Sequence, residues 1–561
     1  MRASRAFPKG LKGPINADHN RTSNKFQSRR DENRKERRRD ALNFNKFLEI
    51  VYKCNPPSAL TRDPAGSKLI EMPGFSIEHF GCRAARADGE AMASHLRAAG
   101  LDEAAPRQAD LVIVNTCSVT AEADRAARAF IRRAHRQNPS ARIVVTGCYA
   151  QRAPQELVAI DGVSAVVGNS HKALAPKIAL DLLQTAVPGT EATPAFVQIA
   201  TATPAQGNSG PHSSMAAQAA SAPPQVAAPQ VAVWSDDSFA HSFLEEPPLS
   251  PGAQTRPNLK IQEGCSNRCS FCVIPQTRGP SKSLPHAAVL RQVENFVAAG
   301  GNELVFSGIN LGRWGRDLQA EGGDPATLAG LVRHILEETS LPRLRLSSVE
   351  PMDWDGELIA LLKTFGGARL ARHAHLPLQS GCDAVLRRMH RRYRPWHYAQ
   401  KVDELLRAAG PELTLGADVM VGFPGETDAE FNETLEFIRA LPFGYLHLFP
   451  FSPRPNTRAW ELQAGAAVPQ AAVEERMAAL RALAAEKTRA HRAQFVGRVL
   501  PAITLHTPKP LAAQGRSAAL TDNYLPVEIE GRLAANRLLE VRVAALNDES
   551  TLICAWEEAP Q

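Results

Sequence analysis

Residues 265–272 read Cys265-Ser266-Asn267-Arg268-Cys269-Ser270-Phe271-Cys272, which places three thiols within one short stretch. The stretch comes directly after Asn258–Gln262, a predicted strand. Thiolates are ligands of iron–sulfur clusters, zinc and copper(I). A four-iron cluster that is held by three cysteines keeps one iron without a protein ligand. The triplet therefore predicts an open iron–sulfur site at the carboxyl end of a strand, where α/β barrels carry their active sites.

The alternative for these thiols is a structural zinc site, which requires a fourth protein ligand. The nearest downstream histidine is His286, 14 residues beyond Cys272. This distance fits a compact zinc knuckle poorly. Spacing and context therefore favour the iron–sulfur cluster.

The region around the triplet, residues 257–469, alternates between strand and helix patterns. Helical stretches such as Ala326–Glu338 and Asp428–Ala440 separate six candidate strands. Six β/α units are fewer than the eight of a closed barrel, so the prediction is an open, partial (β/α)6 barrel. A closed barrel with weaker additional units stays open as the alternative. The six strands are predicted at Asn258–Gln262, Glu303–Ser307, Leu344–Val349, His373–Leu378, Leu415–Val421 and Tyr445–Phe451.

Upstream, residues 73–183 show the same alternation. Strands are predicted at Phe75–Phe80, Leu111–Val114 and Arg142–Val145, and helices at Ala87–Ala99 and Ala121–Arg136. This order predicts an open α/β domain with a parallel sheet.

Three more cysteines, Cys82, Cys117 and Cys148, each follow a predicted strand of this domain and precede a helix. In a parallel sheet such positions share one edge, so the three thiols can converge. Nearby helix N-termini are expected to favour their thiolates. A single buried cysteine is usually a small apolar residue. Three at equivalent positions instead predict a second cluster.

Two segments of the chain are predicted to be flexible. Residues 201–230 contain nine Ala, five Pro and no Asp, Glu, Lys or Arg, so 184–256 is predicted to be an Ala/Pro-rich linker. Residues 1–72 are predicted to be a basic flexible arm. An electrostatic RNA tether, a true start at Met72 and an organelle-targeting segment remain alternatives for the arm.

The last part of the chain changes in character. Residues 470–496 are predicted to form a long connecting helix rich in Ala, Arg and Glu. Residues 497–561 are predicted to form a small all-β barrel of the kind that binds RNA. Its strands are predicted at Arg498–Leu505, Ser517–Leu520, Leu525–Ile529 and Glu540–Ala544.

The composition excludes several classes of protein. The net charge is +7, but the first 40 residues carry 13 Lys and Arg against five Asp and Glu, a net of +8, so the remainder carries −1. No run of 18 apolar residues occurs, which predicts no membrane-spanning helix. Nine cysteines in a chain this long do not fit a disulfide-rich secreted domain. We therefore expect a cytoplasmic protein in which clustered thiols bind metal.

The two triplets lie within motifs that resemble the radical S-adenosylmethionine (SAM) methylthiotransferases. The resemblance covers about 75–183 and 258–460, and the terminal barrel resembles the TRAM domain of that family. The matching motifs are Phe80-Gly81-Cys82, Asn115-Thr116-Cys117-Ser118-Val119-Thr120, Gly147-Cys148-Tyr149-Ala150-Gln151, Gly168-Asn169, Lys260-Ile261-Gln262-Glu263-Gly264-Cys265, Leu376-Pro377-Leu378-Gln379-Ser380-Gly381, Gly422-Phe423-Pro424-Gly425-Glu426-Thr427 and Phe451-Ser452-Pro453-Arg454-Pro455.

The resemblance implies two four-iron clusters and SAM as cofactors. Cys265, Cys269 and Cys272 would hold the cluster that cleaves SAM to a 5′-deoxyadenosyl radical. The other triplet would hold an auxiliary cluster whose free iron carries a sulfide or methylsulfide. The resemblance also implies that Ser307 and Gly308, at the end of the second strand, approach SAM. Gln379 is predicted from its position at the end of the fourth strand to bond polar groups of SAM, with a purely structural role as its alternative. A tight turn is the alternative role for Gly308.

Within the family, the motif Asn115 to Thr120 followed by Ala121-Glu122-Ala123-Asp124 resembles the branch that acts on N6-threonylcarbamoyladenosine. The implied reaction inserts a methylthio group at C2 of this adenosine at tRNA position 37. Isopentenyladenosine in tRNA or a ribosomal-protein aspartate is the alternative substrate. A non-catalytic iron–sulfur RNA-binding protein, or a radical-SAM enzyme with other RNA chemistry, is the alternative of another class. The implied partners are a tRNA anticodon stem-loop and an electron donor such as a flavodoxin or ferredoxin, and we expect a monomer.

The chain departs from the family in three ways. Ala85 stands three residues after Cys82, where the family usually has Asn, and the role of that Asn is left unfilled. The linker is unusually long, and the arm has no counterpart. Three cysteines remain outside both triplets, and none has a partner in the sequence: Cys54, Cys382 and Cys554.

Overall fold

The computed structural model of this chain describes residues 72–184, 231–239, 242, 244, 249, 254–318 and 327–556. The predicted arm, apart from Met72, lies outside the described residues, as does Cys54. In the described part, no helix combines the length and apolar character that crossing a bilayer requires.

The N-terminal domain is the predicted open α/β domain. Its parallel sheet has the order β2-β1-β3-β4-β5-β6. The central strands are buried on both faces and accordingly read as continuous apolar runs, as in Leu111–Thr116. The elements are β1 Gly74–His79, α1 Arg83–Ala98, β2 Asp102–Glu103, β3 Leu111–Thr116, α2 Ala121–Gln137, β4 Arg142–Gly147, α3 Cys148–Arg152, α4 Pro154–Val158, β5 Val163–Gly168, a 3-10 turn Asn169–Leu174, α5 Ala175–Gln184 and β6 Ala232–Trp234.

The prediction of an unstructured linker over 184–256 is wrong for the end of that segment. Ala232–Trp234 forms β6 and extends the sheet through parallel pairing with β5. The backbone carbonyl of Asp236 then accepts a hydrogen bond from the Gln151 side chain, at 2.8 Å. Lys282 donates to the carbonyl oxygens of Phe239 and Ser242, each at 2.8 Å. This segment therefore packs on both domains.

The second domain is the predicted partial barrel. Six parallel strands form two three-stranded sheets, β11-β10-β7 and β12-β13-β14, which a bridge between Ser348 and His375 connects. The elements are β7 Asn258–Lys260, β8 Gln262–Glu263, α6 Ile274–Arg278, β9 Lys282–Ser283, α7 His286–Ala298, β10 Glu303–Ser307, α8 Leu328–Glu338, β11 Arg343–Leu346, α9 Gly356–Phe365, β12 His373–His375, α10 Asp383–Arg388, α11 Pro395–Ala409, β13 Thr414–Val421, α12 Asp428–Ala440, β14 Phe443–Pro450 and α13 Arg458–Ala466.

The two faces of these strands differ in polarity. Leu304, Phe306, Leu344 and Leu346 belong to the main apolar core, which the outer helices cover. The residues that alternate with the core residues along each strand are mostly polar, among them Glu303, Arg343, Arg345, His373, His375 and Asp418. Because side chains alternate along a strand, the inner wall of the half barrel is polar while its outer layer is apolar.

The C-terminal region follows the prediction with one addition. The connecting helix α14 spans Gln470–Ala493, and the five strands after it close into a barrel of order β15-β16-β17-β19-β18. The last strand, Leu552–Trp556, was not predicted. The elements are β15 Val499–Thr504, α15 Lys509–Ala513, β16 Arg516–Thr521, β17 Pro526–Glu530, β18 Leu538–Leu546 and β19 Leu552–Trp556.

The turn between β16 and β17 closes the amino-terminal end of the half barrel. Asp522 in this turn is fully buried and accepts two hydrogen bonds from Arg372, at 2.7 and 3.1 Å. Arg345 of β11 donates to the carbonyl of Thr521 at 3.1 Å, and its guanidinium lies 5.4 Å from the centre of the Tyr524 ring. The terminal barrel therefore forms a floor opposite the carboxyl ends of the strands.

Candidate active site

The Cys265–Cys272 loop lies at the carboxyl end of the half barrel, as predicted. It leaves β8 and forms one wall of an open cavity of about 520 Å³, which all three cysteines line. Cys265 is fixed by a backbone hydrogen bond to Gly279 at 3.0 Å, and Cys272 by one to Cys269 at 3.1 Å. The cavity is large enough for a small-molecule ligand.

The three thiols of this loop are suited to a metal cluster. Burial raises the pKa of Cys272 to about 12, with a further contribution from Cys269. The pKa of Cys269 is also raised, mainly by burial, although Arg391 opposes the effect. These thiols stay protonated unless a cation draws the proton off, which bound iron does. N–H donors already face the sulfur atoms: Asn310 lies 3.6 Å from Cys265 Sγ, and Arg391 lies 3.4 Å from Cys269 Sγ.

Arg391 and Glu350 were not singled out from the sequence. Arg391 makes two hydrogen bonds to the Glu350 carboxylate, at 2.6 and 2.8 Å, while it also reaches Cys269. A nearly buried guanidinium beside cluster sulfur stabilises negative charge on the cluster. In the sequence, Arg391 is marked only by its place between a helix and Tyr393. This pattern is too common to indicate a functional residue.

The three residues that the sequence connects with SAM have different surroundings. Ser307 is buried, and its hydroxyl donates to the Leu259 carbonyl at 3.4 Å. At Gly308, an added Cβ would lie 2.9 Å from Gln262 Oε1, so a larger residue there would displace the Gln262 side chain. Gln379 has a φ of +68° and a buried Oε1 without a hydrogen-bond partner among the described residues. Of these three residues, Gln379 is therefore the one that can offer a side-chain amide oxygen to a ligand.

The second triplet converges at the carboxyl edge of the N-terminal sheet. Cys82 caps α1, Cys117 follows β3, and Cys148 opens α3 after β4. Burial raises the pKa of Cys117 to about 12, and the neighbouring thiols of Cys148 and Cys82 raise it further. The expectation that helix N-termini favour the thiolate is wrong for Cys117, because burial is the larger effect.

Hydrogen-bond donors also face this second triplet. The backbone N–H of Val119 lies 3.4 Å from Cys117 Sγ, and the Asn169 amide lies 3.3 Å from Cys148 Sγ. Three thiols at one edge of the sheet, two of them facing N–H donors, fit a cluster with one open iron. The carbonyl of Ala85 accepts a hydrogen bond from the Asn115 side chain at 2.6 Å. An asparagine side chain therefore does reach the first turn of α1, but it comes from β3.

Five buried charges join the two domains beside the second triplet. Lys172 and Lys260 both contact Asp88 and Glu263. Arg278 contacts the same two carboxylates, at 3.1 and 2.5 Å. All five side chains are at most 8% exposed. We call them the five-charge cluster; its formal charges sum to +1, the sign that complements a ring of thiolates.

Arg278 is the member of the five-charge cluster that faces the second triplet. Burial alone would lower its pKa, but Cys148, Glu263, Asp88 and Cys82 raise the pKa well above its usual value. Its Nε and Nη2 are buried and have no hydrogen-bond partner among the described residues. Asn169, which donates to Cys148 Sγ, also donates to the Thr277 carbonyl at 2.8 Å. The surroundings of the N-terminal triplet thus include residues of the barrel domain.

A second contact connects the domains at the motif Phe451 to Pro455. Arg454 donates to Asp124 of α2 at 2.6 Å, and Arg152 donates to the same oxygen at 3.0 Å. The Ser452 hydroxyl accepts from the backbone N–H of Ala121 at 2.9 Å. This motif therefore holds the helix that follows the Cys117 loop.

The two remaining described cysteines belong to apolar clusters. Cys382 packs in an apolar cluster with Phe423, and Cys554 packs in the core of the terminal barrel. Both behave as buried apolar residues.

Comparison with known proteins agrees with this site. Residues 74–168 match the group described as uncharacterized protein family UPF0004, and residues 259–438 match the radical SAM superfamily. The threonylcarbamoyladenosine tRNA methylthiotransferase MtaB of Bacillus subtilis is 32% identical and aligns over 82% of this chain and 91% of its own length. The tRNA-2-methylthio-N(6)-dimethylallyladenosine synthase of Erythrobacter litoralis is 31% identical and aligns over 85% of this chain and 96% of its own length. Among solved structures, the radical SAM methyltransferase TsrM of Kitasatospora setae shares 16% identity with a TM-score of 0.44, over 67% of this chain and 72% of its own.

The half barrel with its cysteine loop defines a radical-SAM enzyme. Since relatives of this identity align over nearly their full length, the chain belongs to the methylthiotransferase family of radical-SAM enzymes.

Proposed function

We propose that this enzyme inserts a methylthio group at C2 of N6-threonylcarbamoyladenosine at tRNA position 37. The convergence of the second triplet on a site shared by both domains supports sulfur insertion. Relatives named for this substrate support the choice of nucleoside. When bound, SAM on one cluster supplies a 5′-deoxyadenosyl radical, and the auxiliary cluster supplies the sulfur.

The residues of this chain would divide the work between the two cysteine triplets. Cys265, Cys269 and Cys272 would hold the cluster that binds SAM, with Arg391 stabilising its charge. Cys82, Cys117 and Cys148 would hold the second cluster. Ser307 and Gly308 would shape the SAM pocket through the backbone, and Gln379 would bind a polar group of SAM.

The reaction also needs partners outside this chain. An electron donor such as a flavodoxin or ferredoxin would reduce the SAM-binding cluster, and the anticodon stem-loop of tRNA would bring the adenosine. We expect the enzyme to act as a monomer in the cytoplasm, where tRNA is available.

Nucleoside analysis of a deletion strain tests this proposal. Digested tRNA should lack the 2-methylthio derivative of threonylcarbamoyladenosine and retain the unmodified form. The wild-type gene should restore the product, and Cys117→Ala or Cys269→Ala should not. If methylthio-isopentenyladenosine disappears instead, the dimethylallyl substrate is the correct one. If neither changes, the proposed activity is wrong.

A further inference from the structure

A group of polar side chains lies on the inner wall of the half barrel, between the floor and the SAM pocket. His375 of β12 places Nε2 3.3 Å from Asp418 Oδ1 of β13. His447 of β14 places Nδ1 3.2 Å from the same oxygen. We call these three residues the inner-wall triad. No role is assigned to it by the cluster chemistry described above.

The triad is held in one geometry. The Ser348 hydroxyl lies 2.7 Å from His375 Nδ1, so both ring nitrogens of His375 have a neighbour that orients the ring. The His375 and His447 rings lie 5.2 Å apart, and Tyr445 lies 5.1 Å from His447. Burial would raise the pKa of Asp418, but the two histidines hold it well below its usual value. A fixed carboxylate between two imidazoles offers both acceptors and donors.

Exposure increases along the triad towards the open edge of the barrel. The side chain of His375 is 7% exposed, that of Asp418 25% and that of His447 57%. β14 is the last strand of its sheet, so His447 lies at the opening. At the inner end, the backbone N–H of Gln379 donates to the Asp418 carbonyl at 2.7 Å. A group that enters through the open edge therefore meets the triad directly beside the expected SAM pocket.

We propose that the inner-wall triad recognises the polar substituent on N6 of the substrate adenosine. This proposal rests on the function proposed above. A threonylcarbamoyl group carries a carboxylate, a hydroxyl and ureido N–H groups. Asp418 matches the N–H and hydroxyl donors, and the imidazole of His447 matches the carboxylate or hydroxyl oxygen.

The same wall disfavours an apolar N6 chain. A dimethylallyl group would cover polar side chains without forming a hydrogen bond to them, and buried unpaired polar groups are costly. Sites that are built to hydrogen-bond a substrate reject an analogue without the polar group by about 10⁴-fold. The triad would therefore act as the determinant that separates the two tRNA substrates found among the relatives.

Three stem-loop RNAs test the proposal with the reconstituted full-length enzyme. They carry threonylcarbamoyladenosine, isopentenyladenosine or plain adenosine at the target position. The variants are His447→Leu and Asp418→Asn, and the matched control is His397→Leu, an exposed histidine on the outer helix α11. We measure KM and kcat for the methylthio product, and separately 5′-deoxyadenosine formed without RNA.

The expected result is a loss of RNA recognition without a loss of SAM cleavage. Both triad variants should raise KM for the threonylcarbamoyl RNA by about 10²-fold, the loss for one or two hydrogen bonds to a charged group, and should reduce its preference over the isopentenyl RNA. Formation of 5′-deoxyadenosine and iron content should not change, and His397→Leu should match wild type.

Two outcomes would overturn the proposal. One is an unchanged RNA preference in both triad variants while wild type modifies the threonylcarbamoyl RNA. The other is one zinc ion per chain that His447→Leu removes, since these ligands also suit a divalent cation. A wild-type enzyme that modifies none of the three RNAs would instead refute the proposed function itself.

Discussion

At the scale of single residues, Arg278 connects the two cysteine sites. It belongs to the barrel domain, only six residues after Cys272, yet its charge interacts with Cys148 and Cys82 of the N-terminal triplet. A buried guanidinium is costly unless anions compensate it. Two carboxylates do so on one side, and cluster sulfur would do so on the other.

We predict that Arg278→Met lowers the reduction potential of the auxiliary cluster. Loss of a positive charge and of two N–H donors disfavours the more negative, reduced state. The measurement is an EPR-monitored redox titration in a Cys269→Ala background, which keeps only the auxiliary cluster. Arg278→Lys should recover part of the shift. Arg476→Met, which removes a buried Arg remote from both triplets, should leave the potential unchanged.

Mutations in the two triplets should also separate SAM cleavage from sulfur insertion. Cys269→Ala should abolish 5′-deoxyadenosine formation, because SAM binds at that cluster. Cys117→Ala should retain 5′-deoxyadenosine formation and yield no methylthio product. Iron analysis should fall from about eight to about four per chain in each variant, as two four-iron clusters require. An intact chain that holds only four irons before mutation would contradict the two-cluster assignment.

At the scale of elements, the floor of the half barrel depends on one carboxylate. Burial alone would raise the pKa of Glu303, but Arg345 and Arg256 lower it to about 2. Arg343 is the third guanidinium in contact, at 3.4 Å. The unfolded carboxyl titrates near pH 4.5, so the stabilisation is complete above that pH and is lost as the pH falls towards 2.

We predict that Glu303→Gln lowers the free energy of unfolding by about 3 kcal/mol at pH 7.5, because it leaves three guanidinium groups, two of them buried, without their carboxylate. Urea unfolding of the cluster-free protein, followed by circular dichroism, measures the loss. Glu337→Gln, at an exposed position on α8, is the control and should change little. Equal stability of wild type and Glu303→Gln would contradict the role of this ion group.

Local patterns were sufficient for most elements and both triplets. Leu111–Val114 and Asp428–Ala440 were predicted because buried parallel strands and amphipathic helices have strong periodicities. The strand Ala232–Trp234 was missed because three residues beside a Pro-rich stretch carry no period. The five-charge cluster was missed because its members lie up to 190 positions apart. Sequence periodicity reports neighbours along one element, whereas such contacts depend on how separate elements dock.

At the scale of the whole molecule, the terminal barrel closes the floor, and we expect it also to bind RNA. Arg532, Arg537 and Arg542 are exposed on it. Deletion of 497–561 would leave Arg345 and Arg372 without their partners in the floor, so it would damage the half barrel as well as RNA binding.

Substitution is therefore the sharper test of RNA binding. We predict that the triple change Arg532→Ala, Arg537→Ala and Arg542→Ala weakens stem-loop affinity and flattens its salt dependence. Each lost phosphate contact should reduce the slope of log affinity against log salt by about 0.7 to 0.9. Filter binding at several salt concentrations measures this slope. Unaltered affinity and slope would exclude these three residues as RNA contacts, and 5′-deoxyadenosine formation without RNA should stay at the wild-type level.

The five-charge cluster has a consequence for the ancestry and engineering of such enzymes. Asp88 and Lys172 belong to the N-terminal domain and are formally neutral together, whereas Lys260, Glu263 and Arg278 belong to the barrel and sum to +1. Recombination that joins an N-terminal domain from one lineage to a barrel from another would bury charges that no longer match. We expect viable chimeras to inherit both halves together, as a single unit of exchange.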